Sequence, residues 1–345
     1  MSLKRFMLVI IISCLAIAVP GLATPLPTSA EEVKMENLSL IPGGDSVGIE
    51  LNTNGVVIMG KNPEAPAGFL KKVKEGDIIK KADGHSLSNV QQLSSIIQKA
   101  GKKERPLSLE MTRGSDSFEA SVRPYQNESS DYAIGLYVKD KISGIGTLTF
   151  TNPKDDSFGA LGHVIRQPGI ANSKEVDEGT IARSNVTSIR RGEEGMPGEK
   201  HAEFDVSSDK MGVVSINSSF GVFGKLNKKD AKLEERSALP VKRAADVKKG
   251  PAKIRTVVEG DKIEEYDIEI VENNPDSKPS TKGLVIKITD ERLLEQTGGI
   301  VQGMSGSPII QDDHIVGAVT HVFVNDSTSG YGVHIEWMIE ESMNK

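Results

Sequence analysis

From Ile134 to the end of the chain, short apolar runs alternate with turn residues, in the order "AIGLYVKD", "GIGTLTF", "FGALGHVI", "GTIARSNVTSI", "MGVVSIN", "FGVFGKL", "KIRTVVEG", "YDIEIVE", "LVIKITD", "GSPII", "HIVGAVTHVFV" and "GYGVHIEWM". The runs are too short for packed helices and are rich in β-branched residues, so they read as strands. Only "DERLLEQTG" carries helical spacing. About a dozen short strands separated by turns suit a closed barrel or a pair of barrels, because closure removes exposed edges. Aromatic residues are only 4% of the chain, so Val, Ile, Leu and Ala must fill those cores; 34 glycines supply the turns.

The 345 residues allow about two domains beyond a targeting segment. Apolar residues at 37% and charged residues at 26% fit a folded, water-soluble body. A net charge of −6, with Lys and Arg scattered, gives no general attraction to nucleic acid. There is no CxxC, HExxH, EF-hand or P-loop pattern, so neither a metal nor a cofactor is expected. At the N-terminus, Lys4 and Arg5 precede the apolar run 6–19, and small residues at Gly21 and Ala23 follow. That is the layout of an export signal over residues 1–30, either cleaved or kept as a membrane anchor. Cys14 lies inside this run, so the exported part has no disulfide to stabilise it.

Residues 31–125 read as a small α/β domain. In "SNVQQLSSIIQKAG", Val90, Leu93, Ile96 and Ile97 fall on one helical face, with Ser88 or Asn89 as N-cap. "PLSLEMTRG" and "SFEASVRP" follow as a hairpin. With "EGDIIKKADG" before the helix, this order resembles a PDZ domain, although "APAGFLKKVKEGD" is longer than the usual spacing. The resemblance implies that "IPGGDSVGI" is the carboxylate-binding loop, with Gly43, Gly44, Val47, Gly48 and Ile49 holding a peptide's end. The ligand would then join the sheet as an added strand. Residues 126–345 form the second domain. The charged stretch 225–249 within it reads as a solvated loop.

The chemistry centres on "GGIVQGMSGSPII", where one serine stands among glycines. A serine hydroxyl needs a base to take its proton, an acid to orient the base, and amides to hold the oxyanion. Ser305 is the candidate nucleophile, with the Gly303 and Ser305 amides as the oxyanion hole. Among six histidines, His163 leads, because "SFGALGHVI" places it after Gly162 at a strand end. His85, His201 and His314 sit in turns or loops, and His321 and His334 alternate within strands. Asp290, ending the strand "GLVIKITD", is a candidate acid, with Asp205, Asp209 and Asp267 as rivals that spacing does not separate.

Together "GALGHVI", "KITDERLLEQTGGIVQGMSGSPII" and "GAVTHVFVNDSTSGYGVHIEWM" resemble the stage IV sporulation protein B family of serine peptidases. The resemblance implies a PDZ domain before a chymotrypsin-like β-barrel protease domain, with His163, Asp290 and Ser305 as the catalytic triad. It further implies an exported protein of the space between forespore and mother cell. Such a protein cleaves itself in trans, then cuts a regulator of an intramembrane protease to release a late mother-cell sigma factor. The competing readings are an exported scaffold without catalysis and a cell-envelope chaperone that holds peptides.

Overall fold

The computed structural model describes residues 35–63, 65, 67–166, 176–193, 195–227, 235–275 and 278–343. The expected export segment 1–30 lies outside the described residues. The rest is mainly β, and two six-stranded barrels dominate it.

The first barrel uses the strands Ser46–Lys61, Leu136–Thr151, Ser157–Ala160, Val176–Arg183, Lys210–Ser218 and Gly221–Leu226. It closes because 46–52 pairs with 141–147 on one side while 47–53 pairs with 176–183 on the other. Alternation along these strands sends Val47, Ile49, Leu51, Leu148 and Phe158 into one core. The second barrel is formed by Gly250–Val257, Ile263–Asn273, Leu284–Ile288, Pro308–Gln311, His314–Phe323 and Asp326–His334. Its core is almost wholly aliphatic, with Tyr266 as the one buried aromatic. This matches the expectation from a 4% aromatic content.

The PDZ-like unit is placed differently from the expected 31–125. Strands Ser46–Lys61 and Leu136–Thr151 each run from the barrel into it, pairing again over 57–61 and 136–139 after a bulge. The unit is therefore an insertion between these two strands, with its own core of Val56, Ile58, Ile79, Leu93, Leu107 and Ile134. Its helix, Val90–Lys102, is capped as expected: the Asn89 side chain accepts the Gln92 N–H at 2.9 Å. The hairpin Leu107–Arg113 and Asp116–Val122 is also in place.

This arrangement moves the carboxylate-binding loop. The Gly43 and Gly44 N–H groups donate to Thr149 O and Leu148 O, both at 2.9 Å. Val47 and Ile49 are buried in the barrel core, and Gly48 lies under the Phe204 ring. The amides of the two glycines that would cradle a carboxylate are therefore spent on the barrel wall. Asp45 is buried and gripped by Arg183 and Arg236, which ties the turn to the barrel wall.

Two other segments depart from expectation. "GYGVHIEWM" splits, since the strand ends at His334 and the helix Ile335–Met343 begins. Its Ile335, Met338 and Ile339 pack against Phe150 and Phe223 of the first barrel and Leu40 of the strand Ser39–Pro42. Within 225–249, Arg236 binds buried Asp45 and Leu239–Pro240 pairs with Ser39 and Leu40, so this part is not a solvated loop.

Candidate active site

Ser305 lies in the turn between the helix Glu291–Thr297 and the strand Pro308–Gln311. The turn is stapled to the first barrel by its carbonyls. Ser305 O accepts the Thr147 N–H at 2.8 Å, Gly303 O accepts Thr147 Oγ1 at 2.9 Å, and Gly306 O accepts Thr149 Oγ1 at 2.8 Å. Gly306 also donates its N–H to Val319 O at 2.7 Å. The turn is thus held from both barrels, which fixes the backbone around the hydroxyl. Among the described residues, the N–H groups of Gly303 and Ser305 donate to no partner, whereas those of Met304, Gly306 and Ser307 do. Two unspent amides flanking one serine are the donors an oxyanion hole needs.

His163 reaches the same place from the first barrel. The strand Ser157–Ala160 ends in two left-handed residues, Leu161 at φ +67° and Gly162 at φ +69°, which turn the chain back toward the second barrel. Gly162 lies against Thr320, where an added Cβ would stand 3.0 Å from Thr320 Cγ2. Ser305 Oγ donates to the carbonyl of that same Thr320 at 2.9 Å. The rings of His163 and His321 lie 5.3 Å apart, tilted by 39°. Ser305 and His163 therefore converge on the dipeptide Thr320–His321, although the resting hydroxyl bonds to a carbonyl and not to the imidazole.

His163 Nδ1 sits 3.0 Å from Val164 O. A carbonyl can only accept, so Nδ1 carries the proton and Nε2 keeps its lone pair. Burial holds this imidazole below the usual histidine range, with the Val164 carbonyl opposing. Two residues on, Asn217 clamps the loop, accepting the Ile165 N–H and donating to Ile165 O, both at 2.9 Å. A cleft of about 610 Å³ opens beside the ring, lined by Ser143, Ile145, Leu161, Ile165, Thr281 and His321. His321 is held low in the same way, by desolvation first, then by the charges of His163 and Lys282.

Asp290 is not brought to His163. It is the N-cap of Glu291–Thr297, and its side chain accepts the Arg292 N–H at 3.0 Å. Both carboxylate oxygens also meet the Arg292 guanidinium, and Oδ2 accepts the Asp267 N–H at 3.3 Å. The hydrogen bond from Arg292 leads in holding this carboxyl below the usual range. Its rivals are also elsewhere: Asp267 pairs with Lys253, and Asp205 accepts the Ser207 N–H in an exposed turn. Among the described residues no carboxylate bonds to His163, and the Val164 carbonyl occupies the nitrogen an orienting acid would take. Asp290→Ala should therefore cost about 1 kcal/mol of stability through the lost cap, and Asp290→Asn less, in urea melts. The kcat of both should stay within about tenfold of wild type, far from the ~10⁴ loss expected on removing a triad carboxylate.

The residues that sequence reasoning passed over are Thr147, Thr149 and Asn217, and His321, read there only as an alternating strand residue, proves to face His163. None carries a local motif, since each acts by a contact across the fold. Of the five residues expected in a carboxylate loop, none contributes to this site. Among the described residues, no group of three or more His, Cys, Asp or Glu side chains is arranged to hold a metal.

A family model described as SpoIVB peptidase S55 matches residues 130–339. Among solved structures, the PDZ domain of the SdrC-like protein from Listeria monocytogenes is 19% identical, with a TM-score of 0.22, covering 25% of this chain and 87% of its own. The active form of the Rv3671c protease from M. tuberculosis is 16% identical at a TM-score of 0.32, covering 59% of this chain and 74% of its own. The protease Anisep from Arthrobacter nicotinovorans is 11% identical at 0.34, covering 59% and 89%. A search of curated protein sequences finds no match.

Proposed function

Since the chain belongs to the SpoIVB peptidase S55 family, and is thereby a serine peptidase, we propose that Ser305 and His163 carry its reaction as nucleophile and base. The observation that carries this reading is their convergence on Thr320–His321 from different barrels, beside two unspent amides. In the reaction the Ser305 hydroxyl turns from Thr320 O toward His163 Nε2. Nε2 takes the proton as Oγ bonds to the scissile carbonyl carbon, and the carbonyl oxygen becomes an anion facing the Gly303 and Ser305 N–H groups. The imidazolium then gives its proton to the leaving amine as the C–N bond breaks. Water, deprotonated by the same nitrogen, releases the acyl group. The Val164 carbonyl keeps Nδ1 protonated and so keeps Nε2 facing the reaction.

The base must be neutral to act. Because its folded-state pKa is depressed, the acid limb of kcat/KM should have its midpoint below the ordinary histidine value of 6.5. A pH profile with a peptide substrate measures this, and a midpoint above 6.5 would contradict it.

The biological reading is that the enzyme is exported to the space between forespore and mother cell, cuts itself in trans, and then cuts a regulator of an intramembrane protease. It is supported by the family match and by the sequence's export signal. The PDZ-like unit would take a peptide along 136–139. In that stretch the strand pairs with 57–61 on one side, and the helix Val90–Lys102 flanks it, tied at Tyr132 and Asp140. Mass spectrometry of the expressed chain beside Ser305→Ala is the test. Defined fragments from the wild type alone are expected; the same fragments from both proteins would assign the cuts to another protease.

A further inference from the structure

Among the described residues, Lys200 is a buried lysine with no anionic partner, set against the turn that carries Ser305. Only 3% of it is exposed, and its Nζ donates to Thr256 Oγ1, itself fully buried, at 2.8 Å. Its backbone N–H donates to Gln302 O at 2.8 Å, locking the strand Glu199–Glu203 to the turn. Its stem forms the floor under Gly303. A Cβ added there would stand 3.0 Å from Lys200 Cβ and 3.1 Å from Cδ, at a φ of +96°. Thr147 Oγ1 holds the Gly303 carbonyl from the far side. The unspent Gly303 amide is thus aimed by Thr147 and by the lysine stem together.

The charged groups on the packed elements do not neutralise Nζ. On its own strand Glu199 pairs with Arg190, and His201 and Glu203 are exposed; beside Thr256, Arg255 pairs with Glu265 and Lys253 with Asp267, and across from Thr256, Glu264 pairs with Lys262 and accepts the Tyr266 hydroxyl. The turn 298–307 has no charged residue. Among the described residues a hydroxyl is the one hydrogen-bond partner of this nitrogen. Burying an ammonium this way costs several kcal/mol, so a purely structural role would be met better by Met or Leu.

We propose that Lys200 is a positioning residue of the oxyanion turn, whose stem seats Gly303 and whose positive charge favours an anion held by that turn. This rests on the reading of Ser305 and Gly303 given above. Burial alone lowers the Lys200 pKa to about 7, so the charge is lost just above neutrality. Activity should therefore rise as His163 loses its proton and fall again as Lys200 loses its own, and by linkage a bound anion should raise the lysine's proton affinity.

The sign for stability is the opposite. Between about 7 and 10.5 the unfolded chain holds the Lys200 proton and the folded one does not, so wild-type stability rises with pH across that window. Below it the cost of the buried charge is present in full. Lys200→Met removes that cost and should melt higher than wild type at pH 6.

The experiment is the pH profile of kcat and KM for wild type, Lys200→Met and Thr256→Val. Wild type should fall above neutral pH. Lys200→Met should lose about tenfold in kcat at pH 6.5 with KM little changed, less than the loss for removing an oxyanion donor itself, and should lose the alkaline fall. Thr256→Val, which strips the ammonium of its partner, should move the fall to lower pH. A Lys200→Met profile matching wild type, or a Thr256→Val fall left in place, would overturn the proposal. A wild type without peptidase activity would instead remove the reading of Ser305 on which it rests.

Discussion

Ser305→Ala should lower peptide hydrolysis by at least about 10⁴-fold while leaving the fold intact. The loss is large because the hydroxyl forms the covalent bond and no neighbour can replace it. Thr320 and Ser307 are neighbouring hydroxyl-bearing residues, and neither is placed to substitute for it. Thr320 Oγ1 donates to Thr281 O at 2.8 Å, with Tyr331 O 3.1 Å away, while the Ser307 hydroxyl is fully buried, has no hydrogen-bond partner among the described residues, and so has no base to take its proton. The structural cost is one hydrogen bond, Ser305 Oγ to Thr320 O, about 1 kcal/mol, or a few degrees in melting temperature. Activity and stability should therefore separate cleanly in this variant. A loss of activity accompanied by a melt lowered by tens of degrees would point to a structural role for the hydroxyl.

Gly306→Ala should show the opposite behaviour, with activity and stability lost together. A Cβ at 306 would stand 2.1 Å from Thr147 O, 2.4 Å from Leu161 N and 2.8 Å from Leu161 Cα, at a φ of +93°. All three are backbone atoms, so no side chain can move aside. Relief requires the Ser305 turn to lift off the first barrel. That breaks the Thr147–Ser305 and Thr149–Gly306 bonds and shifts Leu161, two residues from the base. A cost above about 4 kcal/mol is expected, against about 1 kcal/mol for Gly84→Ala. Gly84 also has a left-handed φ, +77°, but nothing within 4 Å of its Cβ. Urea melts of the two variants, side by side, isolate the close approach from the backbone conformation. Equal effects would mean that the contact between turn and barrel does not hold the site together.

The barrels were legible in the sequence because alternation and turn chemistry are local. The Asn89-capped helix and the hairpin after it were legible for the same reason. His163 and Ser305 stood out because strand ends and glycine clusters mark backbone that leaves regular structure. The nesting of the PDZ-like unit was hidden, since strands Ser46–Lys61 and Leu136–Thr151 cross from one body to the other without a linker or a change of composition. Gly43 and Gly44 have the composition of a ligand-binding loop, and only their pairing with Leu148 and Thr149 shows that their amides are spent. Asp290 illustrates a signal with two meanings. A carboxylate ending a strand before a helix can orient a histidine or cap the helix, and the Arg292 two residues later belongs to the second. Lys200 and Asn217 act at long range and leave no local trace.

Labelling with a fluorophosphonate, followed by peptide mapping, tests most directly whether His163 activates Ser305. The wild type should gain a single adduct, mapped to Ser305, at a rate that His163→Ala lowers by several orders of magnitude and Asp290→Asn hardly changes. An adduct on another residue, or wild-type labelling in His163→Ala, would contradict the pairing of these two side chains.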